Sequence, residues 1–454
     1  MSSEFLVSPI DCPSSWRLVR LKDISTKIGS GATPTGGQAA YQEKRTNYAL
    51  VRSQNVFDRA FSNDGLAFIS DEQAAGLRNA MLKKDDLLLN ITGDGATFGR
   101  ACLVPESVLP ACVNQHVSII RLDKTQANPG YVLSYLTHPL IKAYIEGFNA
   151  GGSRRAITKG HIESFVVPLP PLAEQERMAG ILDALDERIS LLRENSTTLE
   201  AIAQALFKSW FIDFDPVRAK QSGRVPEGMD EAIAALFPDA FEESELGLVP
   251  KGWRPCPVYE LASYINGAAY KAFDPNAERR GLPIIKIAEL KAGVTSQTAY
   301  SDVEMSEKYR IRLGDILFSW SGNPDTSIDT FVWHHSEAWL NQHIFRVVPH
   351  RAIERSFVLQ TLRYLRPKFA ELARNKQTTG LGHVTVADMK RLRVVRPDET
   401  VISLFSEIAG PIYEKAFENQ TQVSSLVAIR NTLLPRLISG QLRLPEAEAE
   451  ALAA

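Results

Sequence analysis

At 454 residues with a net charge of −2, the chain is long enough for two or three domains and lacks the overall basic excess of a dedicated nucleic-acid binder. Cys12, Cys102, Cys112 and Cys256 form no C-x-x-C pair, which argues against a zinc ribbon or thioredoxin-like site and for buried free thiols. No stretch approaches the roughly 18 apolar residues of a membrane span, and Met1-Ser2-Ser3-Glu4 lacks a signal peptide's basic start. A cytoplasmic protein with no membrane partner is expected. The charge is unevenly spread: Glu227, Asp230, Glu231, Asp239, Glu242, Glu243 and Glu245 are unopposed, as are Glu446, Glu448 and Glu450 in the tail. The remainder is net basic, with clusters at Arg363, Arg366 and Lys368 and at Lys390, Arg391, Arg393 and Arg396. These permit a phosphate-tracking surface and fit a merely solvated face equally.

In chain order, residues 1–170 mix short β-rich runs with Gly and Pro punctuation, as in Leu87-Leu88-Leu89-Asn90-Ile91-Thr92 before Gly93-Asp94-Gly95. Apolar residues at helical spacing predict a helix from Pro129 to Gly147. After Pro168-Leu169-Pro170-Pro171, residues 171–213 form one predicted helix, about 60 Å long at about 1.5 Å per residue. Its 3,4 seam runs Met178, Ile181, Leu185, Arg188, Leu192, Asn195, Leu199, Ile202, Leu206. Residues 214–250 are acidic and proline-punctuated, an expected linker with one short helical stretch near Asp230 to Phe237.

Residues 251–398 then repeat the first segment. Asn114-Gln115-His116 recurs as Asn341-Gln342-His343, Trp16-Arg17 as Trp253-Arg254, and the Pro129 helix as one from Ser356 to Arg374. So long a period means two duplicated domains rather than a solenoid. A second long helix covers 399–440, with the seam displaced by about 227 residues: Phe405, Ile408, Ile412, Lys415, Asn419, Gln422, Leu426, Ile429, Leu433. Polar positions in a seam fix register at a cost in stability. The two helices either pair antiparallel as a spacer or each cover their own domain. Residues 441–454 form an Ala/Glu tail, expected to be disordered.

Much chemistry is missing. No Gly-Lys-Ser or Gly-Lys-Thr completes a P-loop, and no Asn or Asp precedes Pro-Pro and an aromatic, as base amino-methylation would call for. Gly29-Ser30-Gly31 and Gly93-Asp94-Gly95 are lone pieces explained by turns. Asp274, Glu289 and Lys291 are the nearest approach to a metal-dependent nuclease site, and His334-His335 lack a third ligand. What the duplication does carry are amides beside an imidazole, suited to base edges and equally to capping turns. It also carries Gly-rich loops at Gly151-Gly152-Ser153-Arg154-Arg155 and at Gln377-Thr378-Thr379-Gly380-Leu381-Gly382-His383, which keep a frame while differing inside it.

The chain resembles the specificity subunits of type I restriction and modification systems. The resemblance rests on Pro168-Leu169-Pro170-Pro171-Leu172-Ala173-Glu174-Gln175-Glu176-Arg177, Ser209-Trp210-Phe211-Ile212-Asp213-Phe214-Asp215-Pro216, Val249-Pro250-Lys251-Gly252-Trp253, Gly314-Asp315-Ile316-Leu317-Phe318-Ser319-Trp320-Ser321-Gly322 and Leu437-Ile438-Ser439-Gly440-Gln441-Leu442-Arg443. It implies an α+β chain of two globular α/β target-recognition domains, pseudo-twofold, separated by two long antiparallel, coiled-coil-like helices. It further implies a non-catalytic reader of split double-stranded DNA that binds two methyltransferase subunits and restriction subunits in a bacterial or archaeal cytoplasm. S-adenosylmethionine, ATP and Mg then belong to those partners, with no cofactor or metal on this chain. A stand-alone nuclease or methyltransferase acting near Asp274, Glu289 and Lys291 is the alternative.

The candidate DNA-contacting residues are Thr92, Asn114, Gln115, His116, Ser153, Arg154 and Arg155 in the first copy. In the second they are Ser319, Trp320, Ser321, Asn341, Gln342, His343, Thr379 and His383. In the first copy Asn90-Ile91-Thr92-Gly93 stands where the second has Ser319-Trp320-Ser321-Gly322, a departure that puts equal roles in doubt.

Overall fold

The structure, a computed structural model, describes residues 6–93, 97–148, 155–377 and 380–442. Two compact units emerge, Met1–Leu191 with Ser424–Ala454, and Leu192–Val423. Both long helices therefore begin in one unit and end in the other.

In the first unit the main sheet is antiparallel, ordered Ala101–Leu103, Leu87–Asn90, Val117–Leu122, Ser25–Ser30. Leu87, Leu88, Leu89, Ile119 and Ile120 are buried, as an unbroken apolar run in a sheet covered on both faces requires. A second sheet pairs Ala111–Val113 parallel to Tyr48–Val51, and Arg17–Arg20 pairs with Val166–Leu169. The second unit repeats all of this. Its main sheet is ordered Asp329–Val332, Ile316–Ser319, Ile344–Pro349, Ala262–Asn266. Leu282–Ile285 runs parallel to Ala338–Leu340, and Arg254–Pro257 pairs with Arg393–Arg396.

Three expectations are corrected. The helix predicted from Pro129 to Gly147 is two, Pro129–Leu136 and Pro139–Gly147. Pro139 has no N–H to continue the first helix and holds His138 extended, at φ −64°, ψ 135°, so His138 caps the second helix instead. In the second copy Pro367 goes with the same break, between Arg355–Tyr364 and Arg366–Arg374.

The acidic linker is not a linker but part of the second unit. It holds helices Asp215–Gln221 and Glu231–Ala235 and the hairpin Phe241–Ser244 with Gly247–Pro250. Val217, Phe237 and Val249 are buried, and Trp210, Phe214 and Phe237 pack with Trp253 and one another. Lys220 donates to the Ala234 and Phe237 carbonyls. At the other end Leu442 is buried and its N–H bonds Arg436 O at 3.0 Å, so the tail begins later than 441; residues 443–454 lie outside the described residues.

The third correction is the phase of the seam. The long helices are Leu172–Phe211 and Glu399–Ile438, each 40 residues. The first buries Met178, Leu182, Leu185, Ile189, Leu192, Ala203 and Phe207; the second buries Phe405, Ala409, Ala416, Asn419, Val423, Leu426 and Leu433. Spacing alternates four then three, so every other predicted position is displaced by one residue. Ile202 is 50% and Ile408 38% exposed, Arg188, Lys415 and Gln422 are exposed, and Ile181, Leu199, Leu206, Ile412 and Ile429 are half-buried.

Within the second unit the helices run antiparallel: Phe207 meets Phe405, Ser196 Oγ donates to Ala416 O at 3.4 Å, and Asn419 Nδ2 donates to Asn195 Oδ1 at 3.0 Å. Asn419 is the buried polar position that pins register there. Within the first unit Arg430 pairs with Asp186 at 2.7 Å. Asp186 also takes Arg59, whose guanidinium reaches Asp183 at 3.4 Å and Ser134 Oγ at 2.8 Å.

Candidate DNA-recognition interface

In each unit the second strand of the main sheet runs on into a short strand pair, Thr92–Gly93 with Arg155–Ala156 and Ser321–Gly322 with Gly382–His383. That pairing brings Arg155–Ala156 and Gly382–His383 to the strand beside each Asn-Gln-His loop, which lies about 40 residues earlier in the chain. In the first unit Thr92 Oγ1 lies 2.5 Å from His116 Nδ1, Gln115 Nε2 lies 3.1 Å from His116 Nε2, and Thr33 Oγ1 donates to Gln115 Oε1 at 2.6 Å. In the second, Ser321 Oγ lies 2.9 Å from His383 Nδ1 and Gln342 Nε2 lies 3.1 Å from His343 Nε2. Trp320 sits between the imidazoles, its ring 5.7 Å from His343 and 5.9 Å from His383, with Nε1 donating to Asn266 Oδ1 at 3.2 Å. Both clusters offer amide, hydroxyl and imidazole groups, the second with an aromatic face as well. Such groups suit base edges and bases rather than phosphates alone.

Some candidates are not at the surface. Asn114 and Asn341 are buried, and Asn114 Oδ1 accepts from its own loop's His116 N at 3.0 Å. Ser319 is wholly buried and Ser321 nearly so. These four hold the framework, because a side chain sealed in the sheet cannot reach a ligand. Gln115 is exposed, and His116, Thr92, Trp320, Gln342, His343 and His383 are half-exposed. Ser153, Arg154 and Thr379 lie outside the described residues, and Arg155 is described only as strand backbone.

Two glycines escaped the sequence reading. Gly31, placed there in a turn, donates its N–H to Asn114 O at 3.2 Å, and a Cβ on it would lie 1.7 Å from Val113 O. A Cβ on Gly267 would lie 2.2 Å from Asn341 O. In both units the strand end crosses directly over the Asn-Gln-His loop, leaving no room for a side chain. The legible signal was the repeated pair, Gly31-Ala32 and Gly267-Ala268.

The nuclease alternative dissolves into structure. Glu289 is buried as a helix cap accepting Lys286 N at 3.0 Å, Lys291 donates to Thr326 O, and Asp274 ends a 3-10 turn in the left-handed region. No His, Cys, Asp and Glu cluster among the described residues could hold a metal. The basic clusters are largely neutralised: Arg363 pairs with Glu200, Arg366 with Asp329, Lys368 with Glu371 and Arg396 with Glu354.

Burial, and then His383, hold the His343 imidazole below its ordinary pKa; burial and His334 pull His335 down to about 4. A histidine depressed in the folded state is neutral there while the unfolded chain takes up protons. Stability of the second unit is thus intact above pH about 6.5 and falls toward pH 4. NMR titration should place the His343 midpoint below 6.5, and His383→Gln should raise it; an unmoved midpoint would refute the coupling.

Residues 13–201 and 250–399 match the family described as type I restriction modification DNA specificity domain. The chain belongs to this family. Over 96% of its length it is 22% identical to the type I restriction enzyme MjaIX specificity subunit of Methanocaldococcus jannaschii, 95% of which is covered. It is 23% identical to the HindI specificity subunit of Haemophilus influenzae, over 94% of this chain and all of that one. A crystal structure of the type I S subunit from M. genitalium shares the fold at TM-score 0.53 and 13% identity, covering 95% of this chain and 98% of that one. This specificity subunit is a non-catalytic DNA-recognition protein, with one recognition fold in each unit. No helix among the described residues is long and apolar enough to cross a membrane.

Proposed function

We propose that this specificity subunit reads a split DNA sequence, each unit taking one half-site through its imidazole and amide cluster. What supports this reading is that the same strand pair in each unit sets a repeated glutamine and histidine, Gln115 and His116 or Gln342 and His343, beside different neighbours: Ile91 and Ala156 in the first unit, Trp320 and His383 in the second. Two related folds that differ at these positions can read two different sequences. The subunit scaffolds two DNA adenine methyltransferase subunits and joins restriction subunits, in the cytoplasm. S-adenosylmethionine, ATP and Mg serve those partners.

Methylation mapping tests this in cells carrying the chain with its methyltransferase, against cells lacking the chain alone. A split motif should appear only with the chain, and its persistence without the chain would sink the reading. The antiparallel helices set the gap between half-sites. Because their buried positions recur every seven residues, removing seven matched residues from each helix preserves the seam and shortens the pair by about 10 Å. The mapped gap should then shrink by about three base pairs with both half-sites kept. An altered half-site would contradict the spacer role.

A further inference from the structure

The two units hold the same glutamine and histidine in the same register but finish the hydrogen-bond circuit around them differently. Ser30 pairs with Ser118 and Asn266 with Phe345, each four residues beyond the loop's asparagine, so the strand ends Gly31 and Gly267 are counterparts. Two residues further on, Thr33 stands in the first unit where Ala269 stands in the second.

In the first unit the circuit is closed. Thr33 Oγ1 donates to Gln115 Oε1 at 2.6 Å, Gln115 Nε2 donates to His116 Nε2 at 3.1 Å, and the hydrogen that this leaves on His116 Nδ1 goes to Thr92 Oγ1 at 2.5 Å. An amide nitrogen only donates, so a neutral imidazole facing it accepts there and carries its hydrogen on the other nitrogen. The Gln115 carbonyl is engaged within its own unit, and the side chain is latched at both ends.

In the second unit the circuit is open. Gln342 Nε2 again lies 3.1 Å from His343 Nε2, but Ala269 has no hydroxyl, and Gln342 Oε1 has no partner among the described residues. Ser321, the counterpart of Thr92, turns its hydroxyl to His383 Nδ1 at 2.9 Å, and His343 Nδ1 is buried without a partner. One N–H of the Gln342 amide meets His343. The other N–H and the carbonyl remain side by side on a half-exposed side chain, in the cluster that holds Trp320 and His383.

A carboxamide with a donor and an acceptor free on one edge matches one base in the major groove, adenine, whose N6 amine donates and whose N7 accepts. Guanine offers two acceptors there, cytosine a donor alone and thymine an acceptor alone, so each leaves part of the amide unpaired. We infer that Gln342 reads an adenine of the half-site taken by the second unit, Oε1 accepting from N6 and Nε2 donating to N7, and that the position shared by Thr33 and Ala269 decides which glutamine is free to do so. The inference rests on the DNA reading proposed above. Gln115 positions its own loop instead, and the first half-site is read without that bidentate pair.

Binding of the full chain, in complex with its methyltransferase, to duplexes carrying the mapped split target tests this. Each adenine is replaced in turn by 7-deazaadenine, which lacks the N7 acceptor, and by purine, which lacks the N6 amine. At one adenine both replacements should weaken binding about tenfold, and this response should vanish in Gln342→Ala, which binds the unaltered duplex about tenfold more weakly. No adenine should show a response to purine that depends on Gln115. Ala269→Thr restores the latch and should abolish the response to purine at the adenine read by Gln342. Responses that persist in Gln342→Ala, or that occur at no adenine, would overturn Gln342 as the reader; a response to purine unchanged in Ala269→Thr would overturn the latch. Ala269 is exposed, so its substitution carries the same comparison with the loop intact even where Gln342→Ala binds no duplex. A complex that binds no split target at all would overturn the DNA reading itself, a result distinct from binding without the adenine response.

Discussion

Arg59→Ala is expected to destabilise the first unit by about 3 kcal/mol, the lower end for breaking a buried ion pair. The Arg59 side chain is only 2% exposed and lies against Asp183, Asp186 and Ser134, so alanine leaves a void and strands carboxylates beside it. Two features hold the loss at that end: Asp186 keeps Arg430 at 2.7 Å, and Asp183 is partly open to solvent. Burial already raises the Asp183 carboxyl above its usual range against the pull of Arg59. A carboxylate raised in the folded state costs stability at neutral pH, a cost relieved as pH falls toward the unfolded value of about 3.9. The variant's deficit should therefore be smaller at pH 4 than at pH 7. Urea unfolding at both pH values measures this, and an equal deficit would refute the role of Asp183. Arg363→Ala, which breaks a half-exposed pair in the second unit, should cost less than about 1 kcal/mol.

Gly31→Ala and Gly267→Ala are expected to disable the two recognition folds one at a time. The new methyl group would sit 1.7 Å from Val113 O in the first case and 2.2 Å from Asn341 O in the second, against backbone that belongs to the Asn-Gln-His loop. Neither neighbour is the end of a flexible side chain, so the strand and loop must separate, at about 3 kcal/mol. The imidazole clusters rest on that crossing. Mapping of modified sites should show the first half-site degraded by Gly31→Ala with the second intact, and the reverse for Gly267→Ala. Gly29→Ala, with nothing within 4 Å of the added carbon, is the neutral control. Loss of both half-sites from either substitution would mean that the two units do not read independently.

Local chemistry determined a good part of this protein in advance. Pro170-Pro171 and an unbroken 3,4 pattern were enough for the first long helix, because a helix start and an apolar stripe are properties of neighbouring residues. The duplication and the missing catalytic motifs were legible for the same reason, while the resemblance to the family rests on its own contiguous motifs, such as Pro168 to Arg177 and Gly314 to Gly322. The failures share a cause. Whether Arg188 or Ile189 enters the seam, and Ile408 or Ala409, depends on which surface packs opposite, and a 3,4 pattern fits either phase. The acidic stretch at 214–250 looked like a linker because apolar residues such as Phe214 and Phe237 find their partners in Trp210 and Trp253 only after folding. Pro139, Pro367 and the repeated Gly31-Ala32 and Gly267-Ala268 were local signals overlooked.

Site chemistry divides along the same line. Composition singled out the amide and imidazole tripeptides, but only the tertiary structure separates Gln115, exposed, from Asn114, sealed beneath it. The bond between Ser321 and His383 joins residues that nothing in the chain's local pattern connects. By itself the sequence determined two copies, two long helices and a chain without catalytic motifs. Tertiary structure alone decided which repeated residues are framework and which face outward, and it closed the edge of the first unit's main sheet with Asp58 and Arg59. Burial and pairing arise from contacts between distant segments, which local periodicity does not encode.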